Sequence, residues 1–241
     1  MAQAPTPPHF HSARLQRVLT ELACLHTVVP DGAFAQKLSL WVDYTQAIGL
    51  CMVHNSCEAT QAKAAGAPPA SLAEAFEQAR ARLERTIASG KLPAPEALAL
   101  GQADADAAAD LGAAYEPYRR YYLAQQRELE SGVGPLRAKA REALGRASPP
   151  LRQLAALDAA MDSMLCERES RLLYTVPKLL RIRFDQLFHA PLPAGTVAHA
   201  TAWLERFCSE MQSVLLAELD LRLQPALGLM EALQQEQTQT A

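Results

Sequence analysis

SPPLRQLAALDAAMDSMLCERESRLLYTVPKLLRIRFDQLFHA, residues 148–190, is the stretch whose reading decides the fold. Ser148 can cap a helix, and Pro149 and Pro150 behind it already hold the φ of a first helical turn. Leu154, Leu157, Met161, Leu165, Leu172, Val176, Leu179 and Leu187 then recur at near-heptad spacing, with Arg168 falling inside the stripe. Pro177 is expected to bend this long helix, and Pro191 and Pro193 to end it. Downstream, Gly195 and Thr196 open a second helix with Val197, Trp203, Leu204, Phe207, Met211, Val214, Leu215, Leu219 and Leu223 on one face, kinked or interrupted at Pro225. Two helices of about 40 residues each, about 60 Å long, predict an elongated C-terminal antiparallel pair. The tail 234–241 is expected to be disordered.

Upstream, the punctuation is equally legible. Residues 1–11 hold Pro5, Pro7, Pro8, His9 and His11 and are expected to form a disordered tail. Ser12 can cap a helix with Leu15, Val18, Leu19, Leu22 and Leu25 on one face, and Pro30, Asp31 and Gly32 make a turn. The next stripe, Phe34, Leu38, Trp41, Thr45, Ile48 and Met52, predicts the second arm of an N-terminal hairpin. Composition then shifts to Ala, Gly and Pro from Asn55 to Ala70, a flexible connection. Ser71 and Glu74 form a capping box for a third helix bearing Leu72, Phe76, Ala79, Leu83 and Ile87, closed by Ser89 and Gly90. Residues 91–114, rich in Ala with Asp104, Asp106 and Asp110, read as a linker. Pro117 fits the first position of a helix to about Ser131, and Gly132, Gly134 and Pro135 suggest a hinge before Leu136 to Leu144. The chain divides into a hairpin plus third helix over 12–90, the linker 91–114 and a long-helix bundle over 115–233. No alternating β-branched run appears, so the class is all-α, an elongated helical bundle built from hairpins.

Composition narrows the function. Of 241 residues, 49% are hydrophobic, enough for a core, and 23 Lys and Arg against 26 Asp and Glu give a formal charge of −3. No global field favours nucleic acid or anionic lipid. The apolar window Leu38 to Val53, broken by Asp43 and Gln46, is shorter than the ~20 residues of a spanning helix. With no secretory signal and five irregularly spaced cysteines, the expected location is the cytoplasm and the cysteines are expected to be free.

Arg14-Leu15, Leu40-Trp41-Val42-Asp43, Tyr115 to Tyr122, Pro135-Leu136-Arg137 and Leu154-Ala155-Ala156-Leu157-Asp158 together resemble an uncharacterised proteobacterial all-helical family of unknown function, over most of the chain. The family has no assigned activity or catalytic residues to carry over. The resemblance implies an accessory role beside membrane proteins with peptidoglycan-binding modules, in a bacterial envelope assembly.

Catalytic motifs fail one by one. Glu-x-x-His, required twice by a carboxylate-bridged di-iron bundle, does not occur. Asp158 and Asp162 lie one turn apart, but pairing with an arginine such as Arg152 or Arg168 explains them more simply than catalysis. Gly132-Val133-Gly134-Pro135 lacks the third glycine and the preceding strand of a dinucleotide loop. No Walker loop, Gly-x-Ser-x-Gly elbow or His-Glu-x-x-His is present, so the reading is non-enzymatic, without catalytic residues or cofactor.

Cys51, His54 and Cys57 are the weak metal candidates, since thiolate and imidazole three apart on a helix can share a tetrahedral zinc, with Cys24 and His26 expected nearby across the first hairpin. The plainer reading makes Cys24 and Cys51 small buried hydrophobes. Tyrosines and arginines concentrate twice, at Tyr115, Tyr118, Arg119, Arg120, Tyr121 and Tyr122, and at Arg168, Arg171, Lys178, Arg181 and Arg183. Such residues favour protein interfaces, and Tyr118, Arg119, Tyr121, Tyr122, Arg171 and Arg181 are the partner-binding candidates. Glu116, Glu128, Glu167 and Glu169 dilute any field for nucleic acid. The expected function is a scaffold or adaptor binding a protein partner, with a homo-oligomer through the C-terminal pair as one form. A metal- or thiol-dependent regulator and a nucleic-acid binder are the alternatives.

Overall fold

The computed structural model describes residues 12–22, 42–56, 71–90, 92–93, 107–190 and 202–240. Seven helices make up this part, with no strand among the described residues: α1 (Ser12–Glu21), α2 (Tyr44–Ser56), α3 (Ser71–Ser89), α4 (Ala107–Gly145), α5 (Pro149–Leu173), α6 (Val176–Phe188) and α7 (Ala202–Thr240). The all-α bundle expected from the punctuation is what forms. The tail 1–11, Cys24, His26, the Pro30–Gly32 turn, Cys57 and most of the 91–106 segment lie outside the described residues.

α4 and α7, 39 residues each, are the central helices and share the most extensive contact. Tyr115 and Tyr118 meet Phe207, while Tyr122 and Gln126 meet Glu218, so the two helices run in the same direction. α5 and α6 return antiparallel to both. Arg141 and Arg137 of α4 meet Asp158 and Asp162 of α5, and Arg183 of α6 meets Glu210 of α7. α3 lies across α4 and α7, with Leu83 against Gly132 and Gln212 Nε2 donating to Ile87 O at 3.2 Å. The expected antiparallel C-terminal pair therefore exists, but α4 covers much of its apolar face, which leaves less of it for another chain.

Several local expectations are corrected. Pro117 starts no helix and Gly132 to Pro135 form no hinge, because α4 runs unbroken from Ala107 through both. An internal proline costs about 3 kcal/mol. Buried Leu111, Tyr115, Tyr118 and Tyr122 around Pro117, and Leu129, Val133 and Leu136 around Pro135, each contribute about 1.5–3 kcal/mol, so packing outweighs the prolines. Pro225 likewise sits inside α7, between buried Leu223 and Ala226. The part of the 91–114 linker from Ala107 onward is helix, since Leu111 reaches the core. At the other end α7 continues to Thr240 instead of fraying from Gln234, because Gln and Glu are adequate helix formers and no glycine or proline intervenes.

The long helix from Ser148 is two helices, broken at Tyr174 and Thr175, just before Pro177. Its buried face is also rotated from the expected stripe. Leu151, Ala155 and Leu173 are buried, whereas Leu154 and Leu172 are exposed. The N-terminal hairpin is replaced by a different arrangement, in which α1 packs on α7 and α2 on α5. Arg14 of α1 and Arg80 of α3 both pair with Asp220 of α7. α3 has the expected face, with Phe76, Leu83 and Ile87 buried.

Candidate interaction surfaces and the charges that position them

Two layers of polar contacts hold α5 and α6 in place. In the outer one, Arg137 donates to both Asp158 oxygens at 2.6 and 2.9 Å and to Asp162 Oδ1 at 2.7 Å. Arg141 donates to Asp158 Oδ2 at 2.6 Å and to Asp162 Oδ2 at 2.7 Å. Two forked guanidinium groups thus clasp two carboxylates one turn apart, a charge-assisted geometry of high directional specificity. Burial would raise the Asp158 pKa, but the bonds from Arg137 and Arg141 outweigh it and hold the carboxyl below its usual value. Arg137 and Arg141, both on α4, are thus partners of the two aspartates, from a helix the sequence reading had not named for them. Glu169, further along α5, is pushed above its usual value by burial, against the pull of Arg222 and Arg137.

The inner layer centres on Glu218, a carboxylate with no exposed surface. Tyr122 donates to Glu218 Oε2 at 2.8 Å, and Gln126 Nε2 donates to Glu218 Oε1 and Oε2 at 3.1 and 2.9 Å. Arg222, one turn along α7, pairs with Glu218 Oε1 at 3.0 Å. Burial and the neighbouring carboxylate push the Tyr122 hydroxyl far above its usual pKa, so it keeps the proton it donates. The same Gln126 amide donates to Leu173 O at 3.0 Å. That carbonyl belongs to the end of α5, where acceptors lose their helical partners. Tyr115 Oη bonds Pro177 O on the other side of the break. Side chains of α4 therefore satisfy the backbone on both sides of Tyr174 and Thr175 and fix the angle of the break.

Aromatic packing completes the α4–α6–α7 junction. Phe184 contacts Phe207 and Trp203 edge-on, with ring centroids 5.1 and 5.2 Å apart, and also meets Tyr115 and Tyr118. Tyr118 and Tyr122, expected at a partner surface, are instead core residues, and burial raises the Tyr118 hydroxyl to about 12. Tyr121 is half-buried against the core, its hydroxyl close to Gly90. The reason is register: Tyr115, Tyr118 and Tyr122 step by three and four and fall on the face of α4 turned to α6 and α7. Arg119 does remain exposed, paired with Glu116 at 3.2 Å. Arg181 is half-buried, bonded to Asp185 at 2.8 Å and 5.6 Å above the Tyr115 ring. Of the six candidates, Arg171 is the one that stands exposed beside uncovered apolar side chains, with Glu167 as its ion-pair partner.

Those side chains are Leu172, Tyr174 and Ile182, which are 52%, 48% and 44% exposed. Tyr174, Lys178 and Ile182 step by four through the break, so they share one side of it, with Arg171 at its start. A second uncovered group lies on α2, where Tyr44, Ile48 and Met52 are exposed. No Asp, Glu, Lys or Arg occurs between Tyr44 and Ser56. Gln153 Nε2 donates to His54 O at 2.9 Å and lies 2.9 Å from His54 Nδ1, which ties the end of α2 to α5. The basic cluster around Pro177 had marked the first surface through Arg171, whereas α2 carried no partner-binding candidate; its signal is the exposure of Ile48 and Met52, whose periodicity had placed them in a core.

The remaining sequence candidates do not converge. Cys51 and His54 are exposed on α2, and Asn55 Nδ2 contacts Cys51 Sγ at 3.5 Å. Among the described residues, no three His, Cys, Asp or Glu side chains are placed to hold a metal ion. Cys51, Cys166 and Cys208 are free thiols, and burial raises the Cys208 thiol to about 11. No described helix is long and apolar enough to cross a membrane. Comparison with curated proteins and with solved structures gave no match. Residues 1–235 match a family described as a protein of unknown function, DUF3348, and the chain, matched over nearly its whole length, belongs to that family.

Proposed function

We propose that this protein is a non-enzymatic helical adaptor that works through protein–protein contact, with the stripe along the α5–α6 break as its docking surface. The observation that carries this reading is the exposure of Tyr174 and Ile182 in line with Arg171 and Lys178, on a break whose backbone is pinned from behind by Gln126 and Tyr115. A rigid surface loses little conformational entropy on binding, and an aromatic next to cations is the composition that recurs at binding hot spots. The chemistry suits a partner segment with apolar residues flanked by acidic ones. The accessory role in an envelope assembly that the resemblance implies is a setting consistent with such docking.

The test is a photo-crosslinking amino acid at position 174 in cells that naturally make the protein, with adducts identified by mass spectrometry. One dominant protein adduct, lost when Ile182→Asp is added and weakened by Lys178→Glu, is the expected result. Diffuse labelling that neither substitution changes would remove the reading.

A further inference from the structure

In an unbroken helix the carbonyl of Leu173 would accept from the N–H of residue 177, four positions on. That residue is Pro177, which has no N–H and whose ring crowds the carbonyl four residues back. On the α6 side nothing is lost, because the first turn of a helix has unpaired N–H groups in any case. On the α5 side an acceptor is left without its donor. Its neighbours are served locally: Ser170 O accepts from Tyr174 N at 2.9 Å, and Leu172 O accepts from Thr175 N at 3.0 Å and from Thr175 Oγ1 at 2.6 Å. Leu173 is buried, and its carbonyl takes the side-chain amide of Gln126 instead, at 3.0 Å.

We infer that Gln126 is a positioning residue of the α5–α6 break: its amide nitrogen stands in for the N–H that Pro177 removes, and Glu218 braces that nitrogen from the other side. Two further observations point the same way. Gln126 is buried, yet its Oε1 has no hydrogen-bond partner among the described residues, so all the bonding of this side chain runs through its nitrogen. Turning the amide over would set Oε1 against Leu173 O and both Glu218 oxygens, an acceptor facing three acceptors. The carboxylate, held in turn by Arg222 and Tyr122, therefore selects the orientation in which the nitrogen reaches Leu173 O. Across the break, Tyr115 Oη bonds Pro177 O. Tyr174 directly follows Leu173 and Lys178 directly follows Pro177, so the two carbonyls held from α4 adjoin the side chains that the docking surface presents. That consequence for docking rests on the function proposed above, whereas the exchange of one donor for another does not.

Pro177→Ala restores an N–H at position 177 and makes Gln126 redundant at Leu173, so the two residues are tested together. Amide hydrogen exchange of the full chain, resolved by NMR, reads the break directly. Gln126→Met is expected to speed exchange at Thr175, Lys178 and Leu179 by about tenfold or more and to leave residues 149–158 unchanged. Beside Pro177→Ala the same substitution speeds it by under about threefold. A Gln126→Met chain that folds only when Pro177→Ala is present is the same result in its extreme form. Equal acceleration in both backgrounds, acceleration that extends equally to 149–158, or failure to fold in both backgrounds assigns Gln126 to general packing and overturns the inference. The position-174 adduct falls with Gln126→Met and returns with the pair; a natural chain that gives no adduct removes the docking reading alone, and the exchange rates still decide this one.

Discussion

α2 and α7 invert each other. α2 has no Asp, Glu, Lys or Arg and exposes most of its surface, whereas α7 carries Glu218 in its middle and buries it completely. Hydrophobicity alone would exchange their places. What separates them is the number of neighbours. α7 has α1, α3, α4, α5 and α6 around it, enough to enclose a carboxylate and supply its partners, while the extensive packing of α2 is with α5. Burial follows position in the bundle. A charge taken inside then marks a contact that fixes register, and an apolar face left outside marks a place with few neighbours.

The largest effect tests the buried side of that comparison. Glu218→Ala strands Arg222, Tyr122 and Gln126 in the core, and the expected loss is about 3–5 kcal/mol. Urea unfolding followed by circular dichroism measures it. If the network serves specificity more than stability, the triple change Glu218→Leu, Arg222→Met and Tyr122→Phe recovers most of the loss, because of the network only Gln126 then remains polar, and it keeps its bond to Leu173 O. A loss under about 1 kcal/mol for Glu218→Ala would mean that the carboxylate is hydrated and the contrast with α2 is weaker than drawn.

Position should outweigh residue type within a single helix as well. A Cβ on Gly132 would come within 2.8 Å of Leu83 Cδ2, where α3 crosses α4, but one on Gly134 meets nothing within 4 Å. Either change to alanine gains about 1 kcal/mol of helix propensity. At Gly132 this is offset by overpacking of about 1–3 kcal/mol. Gly134→Ala is expected to raise the melting temperature and Gly132→Ala to lower it or leave it flat, as read by differential scanning calorimetry. Equal gains at both sites would show that Leu83 yields freely and that α3 is held less tightly than the distance implies.

Helix locations were readable because capping residues, prolines and three-and-four spacing are local signals. Helices begin at Ser71 and at Pro149 as expected, although the Ser148 side chain makes no capping bond. What could not be read was which side of a helix wins when two are available. The leucines of α5 drew attention to Leu154 and Leu172, yet the side turned to α4 is Leu151, Ala155, Asp158, Asp162 and Leu173. That choice depends on Arg137 and Arg141, distant in sequence. Prolines misled for the opposite reason: Pro117 and Pro135 are strong local signals, overruled by tyrosines that pack against α6 and α7 and by leucines buried in the core. Tyr118 and Tyr122 looked like an interface because tyrosine suits one, but a tyrosine with a buried acceptor such as Glu218 suits a core equally. The exposed faces of α2 and of the α5–α6 break depend on what the other helices leave uncovered, and that is a property of the assembled bundle.

The smallest effect comes from two carboxylates of α5 that respond to acid in opposite directions. The folded pKa of Asp158 is lowered, so its pairing contributes stability above the unfolded value of about 3.9, and that contribution is lost as pH falls through the depressed folded value. Glu169 is raised. Its charged form is therefore penalised in the fold at neutral pH, and the penalty lifts as pH falls through the raised value toward the unfolded one, about 4.3. Glu169→Gln removes the penalty in advance and is expected to raise the melting temperature by about 1–2 °C at pH 7, with the gain vanishing by about pH 4. Arg137→Met does the reverse: it destabilises at pH 7 and narrows its difference from the wild type only below about pH 4, once Asp158 is protonated. Melting curves of the three proteins at pH 7, 5.5, 4 and 3 separate the two behaviours. If Glu169→Gln lowers stability at pH 7, the carboxylate is paired with Arg222 strongly enough to overcome its burial, and α5 then faces the core with three stabilising anions instead of two.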